Sequence, residues 1–156
     1  MASSMGLLDR FRSALSPETR LWNELAEIAG RNEALIERLK RHAARCVYGN
    51  LRVGLEALAE GQAANLKQLR SLLSEKSLWP RPPQEDAHEG SNNWERLSGD
   101  LILLAAITQQ AHRAASEWEG INPELARKLE AVASADDQQT SQLRILALRC
   151  DPQALD

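Results

Sequence analysis

Aromatic side chains are scarce in this 156-residue chain: one Phe, one Tyr and four Trp. Ala and Leu are plentiful instead. That balance disfavours a β-sandwich, whose pleated faces want β-branched and aromatic residues, and favours helices packed through small and aliphatic side chains. There are two cysteines, Cys46 and Cys150, with no metal-type spacing. Both sit among apolar neighbours, so they read as buried free thiols of a reducing compartment; a bridge between two helix ends is the lesser alternative. No apolar run approaches the roughly 20 residues that a membrane span needs. The longest, 101–107, reads as a buried helix segment. A secretory signal pattern is missing too, because Asp9, Arg10 and Arg12 interrupt the apolar residues at the N-terminus. Cytoplasm is therefore the default location. The net charge of −3 argues against a nucleic-acid binder, which normally carries a basic excess. One basic run, 38–45, lies near Glu33, Glu37 and Glu56 and reads as a solvated helix face. Gly-rich phosphate loops, Cys-x-x-Cys and a Ser/His/Asp pattern are likewise lacking.

Helical periodicity dominates what is present. Residues 1–16 form a leader in which Leu7, Leu8, Phe11, Ala14 and Leu15 fall at helical spacing. Ser16-Pro17-Glu18 then opens the first long helix: Ser16 can cap a free N–H, Pro17 suits the first helical position, and Glu18 favours the positive end of the dipole. Its stripe runs Leu21, Leu25, Ile28, Leu35 or Ile36, Leu39, Ala43 and Cys46, with a gap after Ile28 where Gly30 is expected to kink the helix. Gly49-Asn50 marks a tight turn. The second helix buries Leu51, Leu55, Leu58, Gln62, Leu66, Leu69 and Leu73, and its Gly54 and Gly61 allow close helix approach. A third helix turns Leu97, Leu101, Leu104, Thr108, Ala111, Ala115 and Trp118 inward. Asn122-Pro123-Glu124 starts the fourth, with Leu125, Leu129, Val132, Asp136, Gln139 or Thr140, Leu143, Ala147 and Cys150 inward. The predicted helices span about 17–48, 51–78, 93–119 and 123–150. They make a single domain over 17–151, followed by a short tail, 152–156.

Residues 79–93 contain three prolines in a polar stretch and break the helical pattern. Extended, they reach on the order of 45–50 Å, whereas a helix of about 27 residues is roughly 40 Å long. The segment can therefore run the whole bundle length and start the third helix parallel to the second. Trp79 and Trp94 are expected to pin its two ends. The fold expected is all-α: a four-helix bundle of two helical hairpins joined by a long crossover, with a short N-terminal amphipathic segment.

A weak repeat supports the two-hairpin reading. Leu55-Glu56-Ala57-Leu58-Ala59 in the second helix matches Leu129-Glu130-Ala131-Val132-Ala133 in the fourth, about half the chain later. With the hairpin–crossover–hairpin order, this pattern resembles the ferritin-like superfamily, most closely its rubrerythrin-type bundles, over roughly residues 20–150. The resemblance implies a di-metal centre in which each hairpin supplies a Glu from its first helix and a Glu-x-x-His from its second. Carried over by position, that second pair falls on Gln62 and Asn65 in one hairpin and on Asp136 and Gln139 in the other. The carboxylate of the first helix falls on Glu37, and that of the third near Thr108, Gln109 or Gln110. The ligand set implied by the family is thus lost, since neutral amides cannot balance two divalent ions.

What remains at mid-bundle is expected to be a hydrogen-bonded polar layer of Gln62, Asn65, Thr108, Asp136, Gln139 and Thr140. No catalytic, cofactor-binding or metal-binding residue is expected. The alternative metal set is Glu37, His42, His112 and Asp136 around iron or manganese; His42 alone reads as a core or boundary histidine, and His88 as a solvated linker residue. The function expected is a non-catalytic interaction or structural module. The alternatives are a divergent metal-dependent oxidoreductase or metal-binding protein, and a binder of a small apolar ligand walled by Trp22 or Trp118. Leu7, Leu8 and Phe11, with Trp22 beyond them, add apolar surface that predicts a homodimer with the N-terminal segment near its interface, or an unknown protein partner.

Overall fold

The computed structural model describes residues 16–84 and 89–150. Four helices account for most of them: α1 Pro17–Arg45, α2 Gly49–Ser74, α3 Asn93–Glu119 and α4 Pro123–Leu148. Three of the four starts are fixed by side-chain caps. Ser16 accepts from the Thr19 N–H at 3.2 Å, Asn92 from Glu95 at 2.9 Å and Asn122 from Leu125 at 3.1 Å. Each satisfies a donor that the first helical turn cannot pair internally. Glu95 reciprocates by accepting from the Ser91 N–H at 2.7 Å. The first hairpin turn is Cys46, Val47 and Tyr48, so Gly49-Asn50, expected as the turn, already belongs to α2. The second helix also stops earlier than expected, where Ser77 adopts a positive φ of 54°.

α1 packs on α2 and α3, and α4 packs on α2 and α3, so the diagonal pairs are α1/α4 and α2/α3. Side-chain pairs set the directions. Arg20–Glu117 and Arg38–Asp100 make α3 antiparallel to α1, while Gln62–Asp136 and the approach of Gly54 to Leu146 make α4 antiparallel to α2. The second and third helices therefore run parallel, on a diagonal, and the connection between them must travel the length of the bundle. It does so along α1. Arg81 donates its backbone N–H to the Ala26 carbonyl at 2.9 Å near one end, and Glu89 pairs with Arg41 and Arg45 near the other, at 2.7 and 2.8 Å.

Gly30 acquires its role from this path. A Cβ there would stand 1.6 Å from the Arg81 carbonyl oxygen, so only glycine lets the crossover lie against the helix. The helix is continuous through Gly30. The gap in the apolar stripe is filled by Asn32, which is fully buried. Leu25, Ile28, Leu35, Leu39, Leu55, Leu69, Leu104, Leu129 and Leu143 form the core.

Several expected placements change. Trp94 packs against the core, but Trp79 is 82% exposed and pins nothing. Trp22 is buried rather than surplus surface: its ring meets Trp118 edge to face at 5.1 Å, under the Lys76 ammonium at 5.7 Å. The 101–107 segment is amphipathic, with Leu104 and Ile107 buried and Ile102 exposed, and Asp100 takes the inward place beside the half-buried Leu101. No helix among the described residues is long and apolar enough to cross a membrane. The amphipathic leader and His88 lie outside the described residues.

Candidate functional site

Two buried polar clusters interrupt the core, one at mid-bundle and one nearer the α1–α2 turn. The mid-bundle cluster is built on α2 and α4. Gln62 and Asn65 stand one turn apart on α2 and face Asp136. Gln62 donates Nε2–H to Asp136 Oδ1 at 2.8 Å and to Gln139 Oε1 at 2.7 Å, and Asn65 donates Nδ2–H to the same Oδ1 at 2.7 Å. Thr108 and Thr140 turn their hydroxyls to the backbone, bonding Leu104 O and Asp136 O, each at 2.8 Å, with 3.5 Å between the two oxygens. Gln62, Asn65, Thr108, Asp136 and Thr140 are buried, and Gln139 is half-buried at the edge.

Burial pushes the Asp136 carboxyl above its ordinary value; the two amide bonds oppose the shift without cancelling it. Removing water penalises the charged form, and neutral donors compensate only in part. Its second oxygen, Oδ2, has no partner among the described residues, and neither does Gln62 Oε1. On α1, Arg31 bonds Gln110 of α3 at 3.1 Å. Asn32 is fully buried, and both of its side-chain polar atoms lack a partner.

The second cluster is ionic. Asp100 of α3 accepts from Arg38 Nε at 2.8 Å on one oxygen and from His42 Nδ1 at 2.5 Å on the other. All three are buried. Arg38 and His42 lie one turn apart on α1, so a single carboxylate can bridge them. The basic run 38–45 is thus not the solvated face expected: two of its members point inward, while Arg41 and Arg45 hold Glu89, whose carboxyl they keep below its ordinary value. The bond to Asp100 fixes the His42 tautomer and leaves Nε2 buried without a partner.

The alternative metal residues do not meet. Glu37 is exposed and faces Lys40 at 3.4 Å. His42 belongs to the ionic cluster and Asp136 to the mid-bundle layer. His112 lies at the surface of the α3–α4 pair, between Glu130 at 3.1 Å and Asp137 at 2.7 Å. These carboxylates, Asp137 foremost, raise its pKa. Among the described residues no group of three or more His, Cys, Asp or Glu is placed to hold a metal ion. Cys46 is buried and Cys150 half-buried, both as free thiols, and burial raises the Cys150 pKa. An open groove of about 320 Å³ between α1 and α2 is rimmed by Glu33, Glu37, Lys40, Lys67 and Arg70, charges of both signs that select no ligand class.

Asn32, Arg38 and Asp100 were not among the residues expected to matter. For Asn32 a signal existed: it fills the heptad place between Ile28 and Leu35 that the stripe left empty. Asp100 carried a weaker one, three residues after Leu97 and four before Leu104. The pairing of Arg38 with Asp100 had none, since 62 residues separate them.

Of the exposed large apolar side chains among the described residues, Trp79 and Ile121 lie at the end that holds the α1 N-terminus, and the others lie toward the α1–α2 turn. Val47, Tyr48, Val53, Ile102, Ile145 and Leu148 are each more than half exposed. All lie in the third of the bundle that holds the α1–α2 turn and the end of α4. The N-terminus of α1 is at the opposite end. No protein-family model matches the chain, and no curated protein matches it either.

Proposed function

We propose that the chain is a non-catalytic four-helix module of ferritin-like organisation that acts by self-association, pairing through the end of the bundle that carries the α1–α2 turn. The observation that carries this reading is the crowding of Val47, Tyr48, Val53, Ile102, Ile145 and Leu148 at that end. Single exposed apolar residues are ordinary, but six of them gathered toward one end of a small bundle mark a contact surface. A two-fold pair is the commonest closed arrangement for a self-complementary patch. The two free thiols suit a reducing, cytoplasmic setting.

The lost ligand set supports the non-catalytic part. A bundle whose ligand positions carry Gln62, Asn65 and Gln139 offers no imidazole and one carboxylate, Asp136. Iron or manganese should therefore leave the melting temperature unchanged, because a ligand that binds only the native state must raise it.

Sedimentation of the full chain at high micromolar concentration tests the pairing. We expect a dimer, dissociated by Tyr48→Glu with Val53→Glu while far-UV circular dichroism stays helical. A chain that remains monomeric overturns the self-association. A dimer that resists these substitutions but is lost on deleting residues 1–15 would move the contact to the leader.

A further inference from the structure

We propose that Cys46 and Cys150 form a reversible disulfide, a redox latch that ties the end of α4 to the α1–α2 turn. The latch goes beyond the pairing of copies and does not depend on it. These two residues are the only cysteines of the chain. Each stands just past the C-terminus of its helix, Cys46 one residue after α1 and Cys150 two residues after α4. The α1–α2 turn and the end of α4 share one pole of the bundle, where Gly54 of α2 meets Leu146 of α4.

Both thiols extend the inward stripe of their helix. The Cys46 N–H donates to the Ala43 carbonyl at 3.1 Å, and the Cys150 N–H donates to the Ala147 carbonyl at 2.9 Å. Ala43 and Ala147 are buried, so a tight last turn sets each cysteine toward the core. Cys46 belongs to the apolar core and Cys150 packs against it. Burial, and after it the nearby Cys46 thiol, raise the Cys150 pKa, so the two sulfurs lie within electrostatic reach of each other. A disulfide needs its Cα atoms about 5–6 Å apart. Both residues lie outside the helices, so the chain after Leu148 supplies that adjustment without breaking an interior helical bond.

Cys150 is half-buried and Cys46 buried, which orders the chemistry. The Cys150 thiolate attacks a low-molecular-weight disulfide such as oxidised glutathione, forms a mixed disulfide and expels one glutathione thiolate. The Cys46 thiol gives its proton to solvent, and its thiolate attacks the Cys150 sulfur and expels the second glutathione. The protein loses two protons and two electrons, and one glutathione disulfide is reduced to two thiols. Reducing conditions hold the latch open, with both cysteines as free thiols.

Oxidised glutathione added to the full chain at low micromolar concentration, followed by intact mass spectrometry and non-reducing electrophoresis, tests the latch. We expect a single-chain product lighter by two hydrogens that migrates faster and is reversed by dithiothreitol. The bond closes a loop of about 100 residues, so the oxidised chain should melt roughly 10 °C above the reduced one. Cys150→Ser should abolish both the product and the shift, and Cys46→Ser should stop the reaction at a mixed disulfide on Cys150. If Cys46→Ser fails to fold, Cys46→Ala serves in its place, since it leaves no polar group in the core. A mixed disulfide on the unaltered chain that never resolves, or a bond formed only between two chains, would overturn the proposal.

Discussion

Gly30→Ala puts a methyl group where the crossover backbone passes. In an exposed helix interior the same change is favourable by about 1 kcal/mol, because alanine loses less backbone entropy. Here the added Cβ would lie 1.6 Å from the Arg81 carbonyl oxygen and 2.3 Å from its carbon. Atoms this close cannot be relieved by a rotamer change, since the obstacle is main chain. The crossover must lift by more than an ångström, breaking the Arg81 N–H to Ala26 bond, worth about 1 kcal/mol. It also pulls Arg81 away from Glu27 and Asn23, exposed contacts of little weight. The loosened contact against α1 and residual strain add about 1–2 kcal/mol, a magnitude typical of overpacking. With the propensity gain subtracted, the net destabilisation is about 1–2 kcal/mol, or roughly 3–6 °C in melting temperature. Gly54→Ala is the control. Its Cβ meets only the side chain of Leu146, at 2.9 Å, near a helix end where that side chain can turn aside. It should be neutral or stabilising by up to about 1 kcal/mol. Urea unfolding of both variants, with hydrogen exchange at the Arg81 amide, decides the matter. A Gly30→Ala protein as stable as the parent, with the Arg81 amide still protected, would refute the reasoning.

The ionic cluster should be a sensitive polar feature. Asp100→Ala removes the buried carboxylate shared by Arg38 and His42 and should cost about 3–5 kcal/mol by urea unfolding, while Lys40→Ala at the exposed Glu37 pair should be near neutral. Asp136 should make stability depend on pH. Its folded pKa is raised, so the native state binds more protons, and stability falls as pH rises from the ordinary carboxylate value through the folded one. Asp136→Asn should lack that slope; an unchanged slope would count against burial as its cause. His112, raised by Asp137 and Glu130, stabilises below its ordinary value of 6.5 and loses that contribution as pH climbs through the folded pKa. His112→Gln should therefore flatten the stability profile above pH 6.5.

Local chemistry settled much of the architecture. Ser16-Pro17 and Asn122-Pro123 start helices because cap and ring constraints act within one turn. The leucine stripes declared four amphipathic helices, and three prolines between 79 and 93 declared a long non-helical connection. Its reach against the helix length was enough to place α2 and α3 parallel. The polar residues of α2 and α4 that face each other were also legible, since Gln62 and Asp136 stand at inward places of their stripes.

What the tertiary structure alone decided concerns pairs distant in sequence. Gly30 reads as a helix weakener until Arg81, far along the chain, is laid across it. Arg38 reads as part of a solvated basic face until Asp100 arrives from another helix to pair with it. Asn32 seemed to break the stripe, because periodicity measures apolarity and is blind to a polar side chain in an inward place. Trp79 and Trp22 exchanged their expected roles for a related reason: a large apolar ring is buried only where the packing leaves a space of its shape, and that space exists beside Trp118 and not at the start of the crossover.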